Sequence, residues 1–388
     1  MSELSYLEKL LDGVEVEWLP LGEVSALRRG RVMSKGYLTE NFGPYPVYSS
    51  QTANNGKIGS INTFDFDGEY ISWTTDGANA GTVFYRTGKF SITNVCGLIT
   101  LKSKYSLIYK FLFYWLTIEA KKHVYSGMGN PKLMSHQVEN IPVPIPCPDN
   151  PEKSLAIQSE IVRILDTFSA LTAELTAELN MRKKQYNYYR DQLLSFNTED
   201  VPHLPMGQKD IGEFIRGGTF QKKDFIDAGV GCIHYGQIYT YYGTYTEKTK
   251  TYISTALAKK CKKAQKGDLI IATTSENDED VCKAVAWLGS EDIAVSSDAC
   301  IYKHNLNPKY VSYFFQTEQF QNQKRQYITG AKVRRVNADN LSKILIPVPS
   351  MEIQERIVSI LDKFDTLTNS ITEGLPREIE LRQKQYEY

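Results

Sequence analysis

The sequence is poor in the residues that build metal sites and cross-linked scaffolds. It has six cysteines in 388 residues: Cys96, Cys147, Cys232, Cys261, Cys282 and Cys300. No two stand as CxxC and none neighbours a histidine at ligand spacing, which argues against a zinc ribbon or a disulfide framework. No charge of one sign is in excess, since 45 Lys and Arg against 45 Asp and Glu leave a formal net charge of zero. Coating nucleic acid through overall basicity is thereby excluded, though local basic patches are not. Long apolar runs are missing too. The most apolar, Phe111-Leu-Phe-Tyr-Trp-Leu116, is too short to span a bilayer. The start, MSELSYLEKLLDGVEVEWLP, carries acids and lacks the apolar stretch of a signal peptide. A soluble, cytoplasmic protein with reduced thiols and no membrane partner is expected.

What is present suits folded cores: 41% of residues are hydrophobic and 23% charged, with 25 Tyr and 16 Phe. The most informative feature is an internal repeat. Residues 157–168 read IQSEIVRILDTF and residues 353–364 read IQERIVSILDKF, at an offset of 196 with eight of twelve positions identical. Ser154 and Ser350 precede the two blocks at helix N-cap spacing. Alternating Ile-Pro runs come before them, at 141–146 and 346–349, and the basic-aromatic tails RKKQYNYY (182–189) and RQKQYEY (382–388) follow. Weaker matches extend the repeat backward: Leu27-Arg-Arg-Gly30 with Ile215-Arg-Gly-Gly218, YISWTTDGAN (70–79) with LIIATTSEN (269–277), and Asn94-Val-Cys96 with Asp298-Ala-Cys300. The chain reads as two copies of one unit, a globular mixed α/β domain followed by a long helix.

Ile157, Ile161, Ile164, Phe168, Leu171 and Leu175 recur at alternating spacings of four and three, as do Ile353, Ile357, Ile360, Phe364, Leu367 and Ile371. This is the apolar seam of a coiled coil. The first seam continues, after a shift, through Leu179, Tyr186 and Leu193. The second copy has four extra residues, Glu373-Gly-Leu-Pro376. Its helix is therefore expected to break near 374–376 and restart with Pro376 in its first turn. One amphipathic helix is expected in each domain, near 106–124 and 309–326, and residues 142–151 read as an extended, proline-rich connector. The predicted architecture is α+β: two globular domains (1–150 and 199–349) joined by two long antiparallel helices (151–198 and 350–388), with a pseudo-two-fold internal repeat. Two heads on one helical spacer match the backbone symmetry of duplex DNA.

On the IQ–IV–ILD–F helix starts, the RKKQY and RQKQY tails and SWTTDGANAGTVFYR (72–86), the chain resembles the specificity (S) subunits of type I restriction–modification systems. The resemblance covers the whole length. It implies two target recognition domains, each reading half of a bipartite asymmetric site in double-stranded DNA. It implies helical regions that bind two methyltransferase (M) subunits, with restriction/translocase (R) subunits joining through them. S-adenosylmethionine, ATP and Mg²⁺ would be used by those partners and not by this chain. Two other readings stay open: a coiled-coil adaptor whose globular ends bind proteins, and a nuclease or methyltransferase with an unrecognised motif. No Gly-rich phosphate loop with Lys-Ser/Thr occurs, nor an Asn/Asp-Pro-Pro-aromatic segment. Asp65 and Asp67 read as turn or surface acids, and Glu276, Asp278, Glu279 and Asp280 as a solvated loop. No histidine stands in a pattern that would pair it with a nucleophile.

Candidate DNA contacts come from both units. Arg28, Arg29 and Arg31, with Arg216 in the second copy, suit phosphate or guanine, or are solvated turn residues. Ser50, Gln51, Asn54, Asn55 and Lys57 form a polar, turn-rich stretch able to meet adenine edges, or an ordinary loop. Thr74, Thr75 and Asn79 repeat as Thr273, Thr274 and Asn277, which suggests a groove-facing loop or a turn that shapes the fold. Lys332, Arg334 and Arg335 form a basic cluster with no acid nearby in sequence before Asp339, and Asn130 and Lys132 stand in the corresponding place of the first unit. Lys222 is a further candidate, while Tyr235, Gln237, Tyr239, Tyr241 and Tyr242 suit bases or a sheet face equally. On the helices, Arg182, Lys183, Lys184, Tyr188 and Tyr189, with Arg382 and Lys384, are candidate contacts to the M subunits or plain helix surface. Tyr186 is expected to pack.

Overall fold

The computed structural model describes Lys9 and residues 11–127, 129–369 and 373–387. Ile371, Tyr388 and most of the first ten residues, on which expectations above rest, lie outside them. The chain divides into two compact units, Met1–Leu171 and Thr172–Tyr388. Among the described residues no helix is long and apolar enough to cross a membrane.

The first unit opens and closes on one strand pair. Val16–Pro20 runs antiparallel to Pro142–Pro146, with Val16 opposite Pro146 and Pro20 opposite Pro142. The proline-rich segment is thus a strand and not a free connector. Alternate residues of a strand aim their N–H groups at the same edge, so prolines at 142, 144 and 146 leave the other edge free to pair. Val143 and Ile145 between them are buried. The main sheet has six strands, in the order Ser25–Arg29, Cys96–Leu101, Phe66–Thr74, Val83–Ile92, Phe42–Tyr48, Lys57–Ile61. Helix α1 (Tyr109–Glu119) covers it, bringing Leu112 and Leu116 onto Ile71, Trp73, Val83 and Ile99. The Trp73 ring lies flat over Gly97, where a Cβ would come within 2.0 Å of the indole. Its Nε1 donates to the Leu133 carbonyl at 3.0 Å. Only glycine fits that site.

The second unit repeats this plan with different flesh. His203–Pro205 pairs antiparallel with Leu345–Pro347. The main sheet has five strands, in the order Gly212–Arg216, Ala299–His304, Leu269–Ala272, Ala284–Trp287, Tyr245–Thr246. Opposite Cys300, where the first unit has Gly97, stands Ile271, where the first unit has Trp73. A small–large pair has been exchanged for two of middle size, and volume is kept. A second sheet of four short strands (Thr251–Ile253, Val230–Ile233, Ile293–Val295, Lys263–Ala264) is added. The single helix expected over 309–326 is two, α3 (Pro308–Phe314) and α4 (Glu318–Arg325). Thr317 separates them, because its hydroxyl caps α4 by accepting from the Phe320 N–H at 3.2 Å.

Helix α2 (Pro151–Leu193) has 43 residues, about 65 Å at 1.5 Å per residue. In the second copy α5 spans Met351–Asn369 and α6 spans Gly374–Glu387. Helix α6 already includes 374–376: Gly374 takes φ +77°, and Pro376 sits in its first turn, where its missing donor leaves no gap, while residues 370–372 between the helices lie outside the described ones.

Each long helix starts with a glutamine that accepts from the same backbone position of its own unit, while the carbonyl it donates to differs. Gln158 accepts from the Ile108 N–H at 2.8 Å and donates to the Ser106 carbonyl at 2.7 Å. Gln354 accepts from the Asn307 N–H at 2.9 Å and donates to the Pro349 carbonyl at 2.9 Å. Two turns on, Asp166 receives Lys110 Nζ at 2.6 Å and the Tyr114 hydroxyl at 2.5 Å. Asp362 receives Lys309 Nζ and the Tyr313 hydroxyl, both at 2.7 Å. The two carboxylates therefore grip the same i, i+4 Lys–Tyr pair on α1 and α3. Burial at the helix starts takes in Ile157 and Ile357 of the two seams together with residues that dock on each domain. Gln354, Ile357, Val358 and Leu361 are buried, whereas Ile353, counted as a seam residue, is 41% exposed. Near the end of α2, Tyr186 is buried and donates to Gln316 at 2.9 Å, and Tyr189 stacks on Phe364 at 5.8 Å.

Candidate nucleic-acid interface

Three loops meet beside the main sheet of each unit, and their backbone bonds set the two units in register. In the first, the Gly30 N–H donates to Cys96, the Thr75 N–H to Val95 at 3.0 Å, and the Leu133 N–H to Thr75 at 2.9 Å. In the second, the Gly217 N–H donates to Ala299, the Thr273 N–H to Asp298 at 3.0 Å, and the Val336 N–H to Thr273 at 3.1 Å. Arg29 thus stands where Arg216 stands, Thr75 where Thr273 stands, and Lys132 where Arg335 stands. Matching the two Thr-Thr segments by sequence pairs Thr74 with Thr273, one residue out from the register of the backbone bonds.

The threonines are not free to meet a base. Thr74, Thr75 and Thr274 are buried. The Thr74 hydroxyl donates to the Asn79 carbonyl, that of Thr75 to Asp76 at 2.7 Å, and that of Thr273 to the Asp298 carbonyl at 2.9 Å. They brace the loops. Gln237 is also buried, closing a helix start by accepting from the His234 N–H at 2.9 Å. Tyr242 is buried, and Tyr239 is tied to the Thr274 carbonyl at 2.7 Å. Tyr235 is half-buried and Tyr241 is exposed.

The basic residues are at the surface. Arg28, Arg29, Lys132, Arg216, Lys222, Lys332 and Arg335 are exposed. Arg216, Thr273, Thr274 and Arg335, with Ser297, Asp298 and Asn337, line one cleft of about 290 Å³. Two arginines are already committed. Arg31 pairs with Asp65 at 2.9 Å, and its pKa is raised first by that bond. Arg334 pairs with Asp278 at 2.7 Å and donates to the Gly330 carbonyl. The basic cluster at 332–335 does therefore have a counter-acid, supplied across 56 positions by the loop read as simply solvated.

In the polar stretch of the first unit, Asn54 and Asn55 are exposed with φ of 51° and 54°, a left-handed turn that asparagine tolerates. Lys57 and Asn130 are exposed and Ser50 is half-buried. Gln51 turns inward to the Lys57 carbonyl at 2.6 Å, and Asn79 donates to the Ser50 carbonyl at 3.2 Å. Asn277 is exposed and bonded to Asp280 at 2.7 Å. On α2, Lys183, Lys184, Tyr188 and Tyr189 are exposed, while Arg182 pairs with Glu178 at 2.6 Å. On α6, Arg382 and Lys384 pair with Glu378 and Glu380 one turn back, at 2.8 and 2.6 Å.

Two features were not read from the sequence. The Gln and Asp ties had a signal, since both residues are identical in the repeat and each unit carries Lys-x-x-x-Tyr in the preceding helix. Arg86 had none. It is buried between the rings of Tyr48 and Phe84, at 3.6 and 4.4 Å, with Nε donating to Ser72 at 3.1 Å and Nη1 and Nη2 without a hydrogen-bond partner among the described residues. Burial pulls its pKa down to about 10. Trp287 holds the matching place in the second unit.

Comparison with known proteins agrees with this doubled plan. The chain matches the type I restriction modification DNA specificity domain twice, over residues 13–182 and 205–381. It is 39% identical to the type I restriction enzyme EcoR124I/EcoR124II specificity subunit of Escherichia coli, covering 100% of this chain and 96% of that one. It is 33% identical to a putative type I restriction enzyme specificity subunit of Haemophilus influenzae, over 99% and 96%. Among solved structures, the S subunit of a type I restriction–modification system from M. genitalium shares the fold at a TM-score of 0.57 and 14% identity, over 97% and 95% of the two chains. A chain from a study of assembly and conformational transition of the type I system matches at 0.55 and 13%, over 96% and 95%.

Proposed function

Because the chain belongs to the type I restriction modification DNA specificity family, we propose that each of its units reads one half of a bipartite, asymmetric site in double-stranded DNA. The chain is a non-catalytic DNA sequence-recognition subunit of a type I restriction–modification system. The finer reading rests on one observation above all: the two units share a scaffold to the level of single backbone bonds, yet carry different loops and an extra sheet in only one. A shared scaffold fixes how a head meets the duplex. Different loops make the two heads read different bases.

The target recognition domains are residues 1–150 and 199–349, and the helical regions 151–198 and 350–388 carry them. Arg28, Lys57, Asn54, Asn55 and Asn130 serve the first domain, and Lys222, Asn277 and Lys332 the second, all exposed. The helices set the gap between half-sites and dock two M subunits. The exposed Tyr188 and Tyr189 offer aromatic surface of the kind that protein interfaces favour, with the exposed Lys183 and Lys184 beside it. R subunits join through the M subunits. S-adenosylmethionine, ATP and Mg²⁺ are used by those partners, and the complex works in the cytoplasm.

Methylome mapping of a host that expresses this chain with its M subunit tests the proposal. A gapped, asymmetric, adenine-methylated motif that vanishes when the chain is deleted is the expected result. Methylation unchanged by the deletion, or a single ungapped motif, refutes it.

A further inference from the structure

Resting on the reading of the units as DNA-recognition domains, we propose that Arg29 with Lys132, and Arg216 with Arg335, are two equivalent phosphate anchors that hold the duplex without reading it. The backbone register places these four residues at the same two positions of the two units. In each unit one cation ends the first strand of the main sheet and the other stands on the loop that closes over the Thr-Thr segment. Arg29 reaches that loop through the Met134 sulfur at 3.9 Å, and Arg216 and Arg335 line one cleft.

Three observations separate these cations from base readers. The first is their repetition. Two heads that read different half-sites cannot draw the difference from what they share, so a contact common to both belongs to the part of DNA that is the same everywhere, the phosphate backbone. The second is the lack of a counter-charge, although Arg216 Nε donates to the neutral Ser297 carbonyl at 3.3 Å. Arg31 and Arg334 lie close by but are held by Asp65 and Asp278, whereas none of the four anchors has a carboxylate ion-pair partner among the described residues. Asp298 lines the second cleft without such a bond to Arg216 or Arg335. The third is the chemistry of the positions. Lysine stands where arginine stands in the other unit. A lysine can replace an arginine as a point charge on phosphate but not as a bidentate fork on guanine.

The test uses the full chain with its M subunit, and fluorescence anisotropy over a salt series on two duplexes, one carrying the mapped motif and one lacking it. Arg216→Gln with Arg335→Gln should weaken both complexes by the same factor. The slope of log K against log salt should become shallower by about 1.8, since each phosphate contact contributes about 0.9. The same should hold for Arg29→Gln with Lys132→Gln, and the methylated motif should stay unchanged. Arg335→Lys should keep the full slope, and it serves as the test if the double variant is unstable. An altered or relaxed base in either half-site would make these residues readers and overturn the inference. So would a double variant that melts like the wild type and keeps its slope. Failure of the wild-type complex to prefer its own motif would instead remove the recognition reading itself.

Discussion

Removing one carboxylate should loosen α5 more than its twin loosens α2. In the second unit Asp362 holds Lys309 and Tyr313, the pair being 29% and 20% exposed for Asp362 and Lys309. Tyr313 is fully buried, and burial, then the bond to Asp362, holds its phenol above the ordinary range. Asp362→Ala strands a buried hydroxyl and a half-buried ammonium. A hydrogen bond to a charged group contributes about 1.5–3 kcal/mol, and an unpaired buried donor adds its desolvation, so the loss should be about 3 kcal/mol. In the first unit Lys110 and Asp166 are 37% and 39% exposed. Burial pushes the Asp166 carboxyl up, but the bonds from Lys110 and Tyr114 together hold it below its usual value. Water can take over much of that pair, and exposed ion pairs contribute about 0–1 kcal/mol. Asp166→Ala should therefore lose about 1.5 kcal/mol, most of it from Tyr114. Hydrogen exchange resolved to peptides of α2 and α5 reads both openings separately, which a single melt of a two-unit chain does not. Asp362→Asn, which keeps an acceptor for Tyr313, should fall between the wild type and Asp362→Ala. Equal losses in the two units, or a larger one from Asp166→Ala, would refute the argument from solvation.

Two further outcomes are expected. His304 is held neutral by burial, with its pKa lowered from 6.5 to about 4. The unfolded chain binds a proton that the fold refuses, so this residue's contribution is intact above about pH 6.5 and is lost as pH falls toward 4, at about 1.4 kcal/mol per unit. His304→Phe should flatten the acid limb of stability in that window, and an unchanged limb by chemical denaturation speaks against it. Inserting four residues into the exposed middle of α2 should change the gap between the methylated half-sites and leave their sequences intact. Altered half-sites with an unchanged gap would remove the helices' role in spacing.

The repeat, the two mixed α/β domains and the long helices were legible because identical residues recurred in the same order. What each repeated residue does was less so. The apolar spacing marks Ile357 as a seam residue, and it is buried, but a helix pattern does not say that Gln354 and Val358 beside it are buried as well. Residues 142–151 read as an extended connector on proline content, yet alternate prolines are compatible with one side of a strand pair, and 142–146 form one. Thr74 and Thr75 read as groove-facing or fold-shaping on their repetition in both units, and burial makes them braces. The bond from Arg334 to Asp278 spans loops whose proximity only the sheet creates.

The strand pair that opens and shuts each domain has a consequence of its own. Chain entry and exit lie side by side, with Val16 opposite Pro146 in one domain and His203 opposite Pro347 in the other, and paired strands are about 5 Å apart. Each head is thus an insertion hung on a clasp. Residues added or removed beyond the clasp do not shift the two points where the chain crosses it. This allows one head to hold a six-stranded sheet and the other a five-stranded sheet with a second sheet beside it, while the helix starts after both remain nearly the same dozen residues. Rewriting a head is then a local edit, invisible to the rods that carry it.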